Sequence, residues 1–380
     1  MGPYEICETF FGDSKFCNSL LVAAHTMGSV AAGREAPARL LKVAAAQVGA
    51  VHRWTDRADT LRRLISMLED AAGRGAQLVL FPELTLTTFF PRYLIADEKE
   101  LASFFEHGED VTRSTNAGKL FQRADELRID ICVGYAERTP DGHSYNTCVY
   151  FSANEHTVIM KYRKSHLPGT KEPYKEPGAI NQLEKRYFEE GREGFRAFRV
   201  PGMLNGTMKK SSNSDGDISA VGTGDPIVGI LICNDRRWSE AWRVYGLQGA
   251  ELILCGYNTT AWAPHLHGKH NQSREQSKAD AYFYHKLVMQ SNSYTNSCFS
   301  VCAARCGLDD NEFPLIGGSC IVGPNGRIIA EAQTEEDEVI FAEIDLTDCR
   351  PGKETVSASS RVLSLCMLTI WVDFQFWQTS

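Results

Sequence analysis

The sequence predicts an α/β fold, on three observations. Short apolar runs alternate with stretches whose apolar residues recur at helical spacing. No internal repeat of solenoid length breaks that alternation. With 380 residues and 43% hydrophobic content, the chain is long enough to bury a sizeable core. In order, residues 41–48 form the first core strand. Leu61, Leu64, Ile65, Leu68, Ala71 and Ala72 mark one face of a helix, which Gly73 and Gly75 end. A short strand at 77–81 stops at Pro82 and Glu83, and further strands are expected at 131–135 and 157–160. Ile227–Ile232 is an unbroken apolar run and so a buried strand; the polar turn 233–237 follows, then a helix opened by Ser239. Residues 252–254 and 298–304 are two more buried strands.

Cys233 stands on that strand-to-helix turn, at the carboxyl end of a strand, where open α/β sheets place their ligands. Backbone N–H groups at the turn and the guanidinium groups of Arg236 and Arg237 favour an anion there. Taken alone, a buried cysteine is more often structural than reactive. Two other strand ends change the balance. Glu83 follows a strand and lies among Leu84, Leu86, Phe89 and Phe90, a setting that suits a general base. The strand at 157–160 runs into Lys161, Tyr162, Arg163, Lys164, Ser165 and His166. The interleaved Tyr162 and the Leu-Pro that follows turn at least one ammonium inward. A Glu to take the thiol proton, a thiolate to attack a carbonyl or nitrile carbon, and a Lys to meet the developing oxyanion form a chemically complete set.

Residues 81–83, 162–167 and 233–238 resemble, in order, the three signature segments of the carbon–nitrogen hydrolase (nitrilase) superfamily. The longer strings FPELTLTTFFPR (81–92), KYRKSHLPG (161–169), LEKRYFE (183–189) and ICNDRRW (232–238) are similar to the N-carbamoyl-D-amino acid amidohydrolases, as is the stretch 242–259. The likeness runs from about residue 42 to about residue 350. It implies a four-layer α-β-β-α sandwich, assembled into a homo-oligomer and acting on a small molecule with no metal or cofactor.

The resemblance also implies roles. Glu83 is the general base, Lys164 the oxyanion stabiliser and Cys233 the nucleophile, with Glu137, in Gly-Tyr-Ala-Glu, as a second glutamate beside them. The backbone N–H of Asn234 would complete the oxyanion hole. Asn258 and Thr259 would help hold the acid end of the substrate, and His166 is the loop histidine of the pattern. Arg236 and Arg237 are two planar forks suited to bidentate capture of a carboxylate. The expected reaction is hydrolysis of an N-carbamoyl amino acid, of the D series by resemblance, to the amino acid, ammonia and carbon dioxide. The alternatives are a related amidase on carbamoyl β-amino acids, carbamoyl-polyamines, amides or nitriles, or a non-catalytic interaction protein on the same fold. One departure stands out: Gln182 occupies the place where the carbamoylases carry a histidine.

Composition sets the remaining bounds. Net charge −8, with no basic stripe interleaved with aromatics, argues against nucleic acid. No apolar run reaches the length of a membrane span. Twelve scattered cysteines and a thiol nucleophile favour a reducing, cytoplasmic setting. Cys298, Cys302 and Cys306 are four apart, but their segment reads as a strand of small residues rather than a metal site; His265, His267 and His270 read as a solvated loop. Residues 1–37 are expected to be an N-terminal extension, a poor match to a targeting peptide because Glu5, Glu8 and Asp13 come first. Residues 38–350 are the hydrolase domain, with a Gly-, Ser-, Asn- and Asp-rich surface insertion at about 203–223. Residues 351–380 form a divergent tail, apolar from Leu363 to Trp377, expected to be a packing segment, a subunit contact or a stretch misread in the gene.

Overall fold

The computed structural model describes residues 37–176, 179–204, 222–264 and 272–356. The chain divides into two units, Met1–Pro37 and Ala38–Ser380, and every element described belongs to the second. Its strands are β1 (Leu40–Gln47), β2 (Leu78–Leu80), β3 (Phe105–His107), β4 (Asp130–Arg138), β5 (Ser144–Ser152), β6 (Thr157–Arg163), β7 (Phe198–Arg199), β8 (Ile227–Ile232), β9 (Leu252–Tyr257), β10 (Phe299–Ala304), β11 (Cys306–Asp309), β12 (Phe313–Ile316), β13 (Cys320–Val322), β14 (Ile328–Glu331) and β15 (Glu338–Asp345). The helices are α1 (Arg57–Gly73), α2 (Glu98–Ser103), α3 (Gly118–Leu127), α4 (Glu184–Tyr187), α5 (Ser239–Leu247) and α6 (Arg274–Asn296). One sheet has the order β15-β1-β2-β4-β5-β6, with β3 beside β4; the other has the order β14-β13-β10-β9-β8-β7, and β11 pairs with β12.

Strand periodicity builds the layers. In β1, Leu41, Val43 and Ala45 join the core between the two sheets, while Ala44 and Ala46 join a second core beneath the helices. The same alternation recurs in β4 and β5: Cys132, Cys148 and Tyr150 face the other sheet, and Ile131, Val133, Val149 and Phe151 face the helices. Leu61, Leu64, Leu68 and Ala71 of α1 meet Leu120, Phe121 and Ala124 of α3 in that second core. Asp56 caps α1, its carboxylate accepting from the Ala58 N–H, so the helix starts before its first apolar residue. On the far side, Trp242 and Tyr245 of α5 and Met289 of α6 pack on the second sheet. The order is helices, sheet, sheet, helices, the α-β-β-α sandwich expected.

Parallel strands deliver their carboxyl ends together. β1, β2 and β4 are parallel in one sheet, and β8, β9 and β10 in the other. The chain leaving β2 is clamped where the sheets meet. A Cβ on Gly134 of β4 would lie 2.7 Å from the Pro82 carbonyl, and one on Gly256 of β9 would lie 2.8 Å from the Glu83 nitrogen. All of those neighbours are backbone, so neither glycine can be enlarged without moving Glu83. We expect Gly256→Ala to cost about 1–3 kcal/mol by overpacking and to lower kcat sharply. Gly73→Ala, where a Cβ meets nothing within 4 Å, serves as control. Urea denaturation and turnover of both variants check this; a wild-type kcat for Gly256→Ala would show that Glu83 needs no such clamp.

Among the described residues, no helix is long and apolar enough to cross a membrane. Met203 and Leu204, at the start of the expected insertion, are buried in the inter-sheet core. Residues 205–221, the loop histidines 265, 267 and 270, and the tail beyond 356 lie outside the described residues. Cys302 lies in β10 and Cys306 in β11, and among the described residues no group of three or more His, Cys, Asp or Glu is arranged to hold a metal ion.

Candidate active site

Cys233 follows β8 and opens a 3-10 turn, Cys233–Arg237. Its φ is +49°, in the left-handed region where a non-glycine residue is strained. The thiol is 6% exposed and donates to the Asn258 carbonyl at 3.4 Å. Burial pushes the thiol pKa up to about 12, helped by the Glu83 carboxylate and opposed by Lys164 and Arg236. Cys233 is therefore a thiol at neutral pH, and a nucleophilic role would need a base. The backbone N–H of Asn234 sits in the first turn of the 3-10 segment, where N–H groups have no partner within the turn. The Asn234 side chain donates to the His166 carbonyl at 3.2 Å.

Glu83 and Lys164 are both fully enclosed, at 1% and 0% exposure. Lys164 Nζ donates to Glu83 Oε1 at 2.7 Å and to Glu184 Oε2 at 2.6 Å. Asn146 Nδ2 donates to the same two oxygens, at 2.7 and 3.3 Å. Glu83 Oε2 accepts the Asn258 backbone N–H at 2.9 Å, and Asn258 Nδ2 donates to the Glu83 carbonyl at 2.9 Å. Burial opposes the charge on Lys164, but the Glu184 and Glu83 carboxylates outweigh it and hold the pKa above the usual lysine value. Burial pushes the Glu184 carboxyl up to about 7, against the pull of Lys164. The ammonium is thus permanently charged, between two buried carboxyl groups.

Glu184 was legible only as a letter in the string 183–189; the structure makes it the second glutamate of the cluster. Glu137 is not there, which corrects its expected place beside Cys233. β4 continues to Arg138, and alternation turns Gly134 and Ala136 toward the site and Glu137 to the opposite face. There it accepts from Lys161 Nζ at 2.8 Å, from Arg163 Nε at 2.8 Å and from Thr147 Oγ1 at 2.7 Å. It lines an outer-face cavity of about 440 Å³, together with Lys161, Arg163, His143 and Tyr145.

The two arginines part company. Arg236 is 2% exposed and donates to the Cys233 carbonyl at 2.7 Å, to Thr259 Oγ1 at 2.8 Å and to His285 Nδ1 at 3.3 Å. Its guanidinium lies 4.3 Å from the centre of the Tyr257 ring. Burial, then the neighbouring Arg236 cation, holds His285 well below the usual imidazole value, so it is neutral and can accept that bond. Arg237 is exposed. Among the described residues it has no hydrogen-bonding or ionic partner. Asp235 is buried and props the turn, accepting from Tyr162 Oη and Ile232 N, while His166 Nδ1 lies 2.8 Å from it. His166 lies between Phe195 and Trp238, its ring partly open to solvent. Asn146, His285 and Asp235 went unassigned in the sequence, because nothing in the spacing ties them to Cys233.

Residues 42–354 match the model of the carbon–nitrogen hydrolase family. The chain is 27% identical to N-carbamoylputrescine amidase of Oryza sativa subsp. japonica over 82% of this chain and 87% of that one. It is 27% identical to citrullinase of Francisella tularensis subsp. tularensis over 77% and 86%. A carbon–nitrogen hydrolase structure from Helicobacter pylori G27 superposes with a TM-score of 0.63 at 19% identity, covering 86% of this chain and 97% of that one.

Proposed function

The chain belongs to the carbon–nitrogen hydrolase family, and we propose that it is a thiol amidohydrolase that removes the carbamoyl group of N-carbamoyl amino acids. As a family member it is a hydrolase of carbon–nitrogen bonds other than peptide bonds. The observation that carries the mechanism is the buried Glu83–Lys164–Glu184 cluster beside a protonated, strained Cys233 thiol. Glu83 takes the thiol proton as sulfur bonds to the carbamoyl carbon. The carbonyl oxygen gains the charge, which Lys164 and the Asn234 N–H receive. The tetrahedral adduct collapses by breaking a C–N bond, the leaving nitrogen taking the proton from Glu83. Water, deprotonated by the same carboxylate, then cleaves the S–C bond and regenerates the thiol. Asn146 Oδ1 and Asn258 Oδ1 are buried without a hydrogen-bond partner among the described residues, and suit a substrate N–H.

The acid end of the substrate is assigned to Arg237, the exposed cation beside the nucleophile turn, with Arg236 holding the turn behind it. Arg237→Ala should therefore cost about 1.5–3 kcal/mol in kcat/KM toward an N-carbamoyl acid and little toward the analogue whose carboxylate is an amide. Arg236→Ala should lose activity on both, since it removes the support of Cys233 and Thr259. Equal losses on both substrates for Arg237→Ala would remove the carboxylate from the reading. The second reading is a carbamoyl-polyamine substrate, favoured by the likeness to N-carbamoylputrescine amidase; a cationic far end sits poorly beside Arg237. Ammonia release from carbamoyl-D-, carbamoyl-L- and carbamoyl-β-amino acids, a carbamoyl-polyamine, an amide and a nitrile decides between them. The D series, which the string resemblance implies, fails if the L isomers turn over faster.

A further inference from the structure

Glu184 is held on both oxygens, by two kinds of partner. Oε2 accepts from Lys164 Nζ at 2.6 Å and Asn146 Nδ2 at 3.3 Å. An ammonium and an amide NH₂ can only donate, so Oε2 is held as an acceptor, and a proton there would compete with at least one of the two bonds. Oε1 accepts from Gln182 Nε2 at 2.7 Å. Gln182 itself is fixed by its backbone. Its carbonyl accepts from the Thr170 N–H at 2.9 Å, and the next residue, Leu183, donates its N–H to the Pro91 carbonyl at 2.8 Å. At Gly169, φ +80°, a Cβ would fall 1.8 Å from the Gln182 oxygen, so the two loop strands are in close contact.

We propose that Gln182 is a positioning residue for Glu184: its amide can donate to the carboxylate or, after a half-turn, accept from the carboxylic acid, so it holds Oε1 in either protonation state without adding charge. The proton site of Glu184 is then Oε1, because Oε2 is committed to donors. The charged or titratable groups facing Glu184 are Lys164 and Glu83, with Cys233 sensing its charge; the neighbouring Lys185 and Arg186 are exposed. Burial already pushes Glu184 up to about 7, and a neutral partner leaves it there. A histidine at 182, as in the carbamoylases the sequence resembles, could become a cation and would favour the carboxylate. Substituting glutamine for it moves the change of state of Glu184 to higher pH.

The test does not need the substrate, so it stands or falls separately from the amidase reading on which its functional meaning rests. The rate of Cys233 alkylation by iodoacetamide is followed across pH by peptide mass spectrometry, in wild type, Gln182→His and Gln182→Glu. Cys233 is sensitive to the charge on Glu184, so the pH dependence should show an inflection near neutrality. Gln182→His should move it down by about one pH unit and Gln182→Glu should move it up, the usual directions for an opposite and a like charge. Both replacements are polar and fit a half-buried position, so loss of fold does not mask the result. Inflections that coincide in all three proteins, or that move the same way in both variants, would overturn the proposal.

Discussion

Cys233→Ala should lower turnover by several orders of magnitude while the protein stays folded, because the thiol acts as one unit with its base. Burial holds the thiol protonated at neutral pH, so in the proposed mechanism its reactivity depends on transfer of that proton to Glu83. The backbone adds an independent signature. Cys233 sits at φ +49°, where a Cβ is strained, and alanine keeps that Cβ. Cys233→Gly removes it, and should be about 1 kcal/mol more stable than Cys233→Ala. The nucleophile position would then behave as strain held for function, with both variants inactive and the glycine variant melting higher. Ammonia release and thermal unfolding of the two proteins measure it. Turnover by purified Cys233→Ala within tenfold of wild type would end the nucleophile assignment.

The strand before Cys233 was legible because β8 is apolar throughout and stops at a polar turn, which no helix reading accommodates. The expected bounds for β8 match the structure. Shorter expectations failed at ends that tertiary pairing extends: β4 and β6 each run three residues past the apolar stretch that announced them. The resemblance of the Gly-Tyr-Ala-Glu string put Glu137 beside Cys233, and the extension of β4 is what turns it to the other face. Read as lying just past a strand end, it could point anywhere; read inside β4, opposite Tyr145, its face is fixed by alternation. Glu184 was hidden for a different reason. Its helix, α4, is one turn long, too short for periodicity to distinguish a buried acid from the exposed Lys185 and Arg186 beside it.

The arginines show the limit of spacing as a guide to substrate. Adjacent residues on a 3-10 turn diverge, so two neighbouring forks do not form one clamp. Arg236 enters the core toward Tyr257 and His285, and Arg237 remains at the surface. A sequence can announce two cations beside a cysteine, but which one is drawn into the core depends on α6, whose His285 lies 49 positions further along the chain from Arg236.

Lys164 and Lys161 are three residues apart, and their replacements should behave as unlike events. Lys164→Ala should lower kcat by about 100- to 1,000-fold or more, the range for losing one oxyanion donor. Lys161→Ala should leave kcat near wild type, because Lys161 is on the outer face and Glu137 keeps Arg163 and Thr147. Stability should separate them by pH as well. Glu184 in the folded protein ionises at about 7, above the ordinary carboxylate range, so the folded state holds a proton that the unfolded chain has released. Stability therefore falls as pH rises through that window. Lys164 limits the fall by pulling the carboxyl down. Without it, Glu184 faces a second enclosed carboxyl group and is pushed higher, and the fall extends to higher pH. Lys164→Ala should accordingly lose more stability relative to wild type at about pH 8 than at about pH 5, approaching the roughly 3–5 kcal/mol of a broken buried ion pair. The Lys161→Ala deficit should be small and nearly constant over the same range. Urea denaturation at both pH values, with kcat measured alongside, tests the assignment. Equal kcat losses, or a Lys164→Ala deficit that does not grow with pH, would mean that Lys164 is not the cation between Glu83 and Glu184.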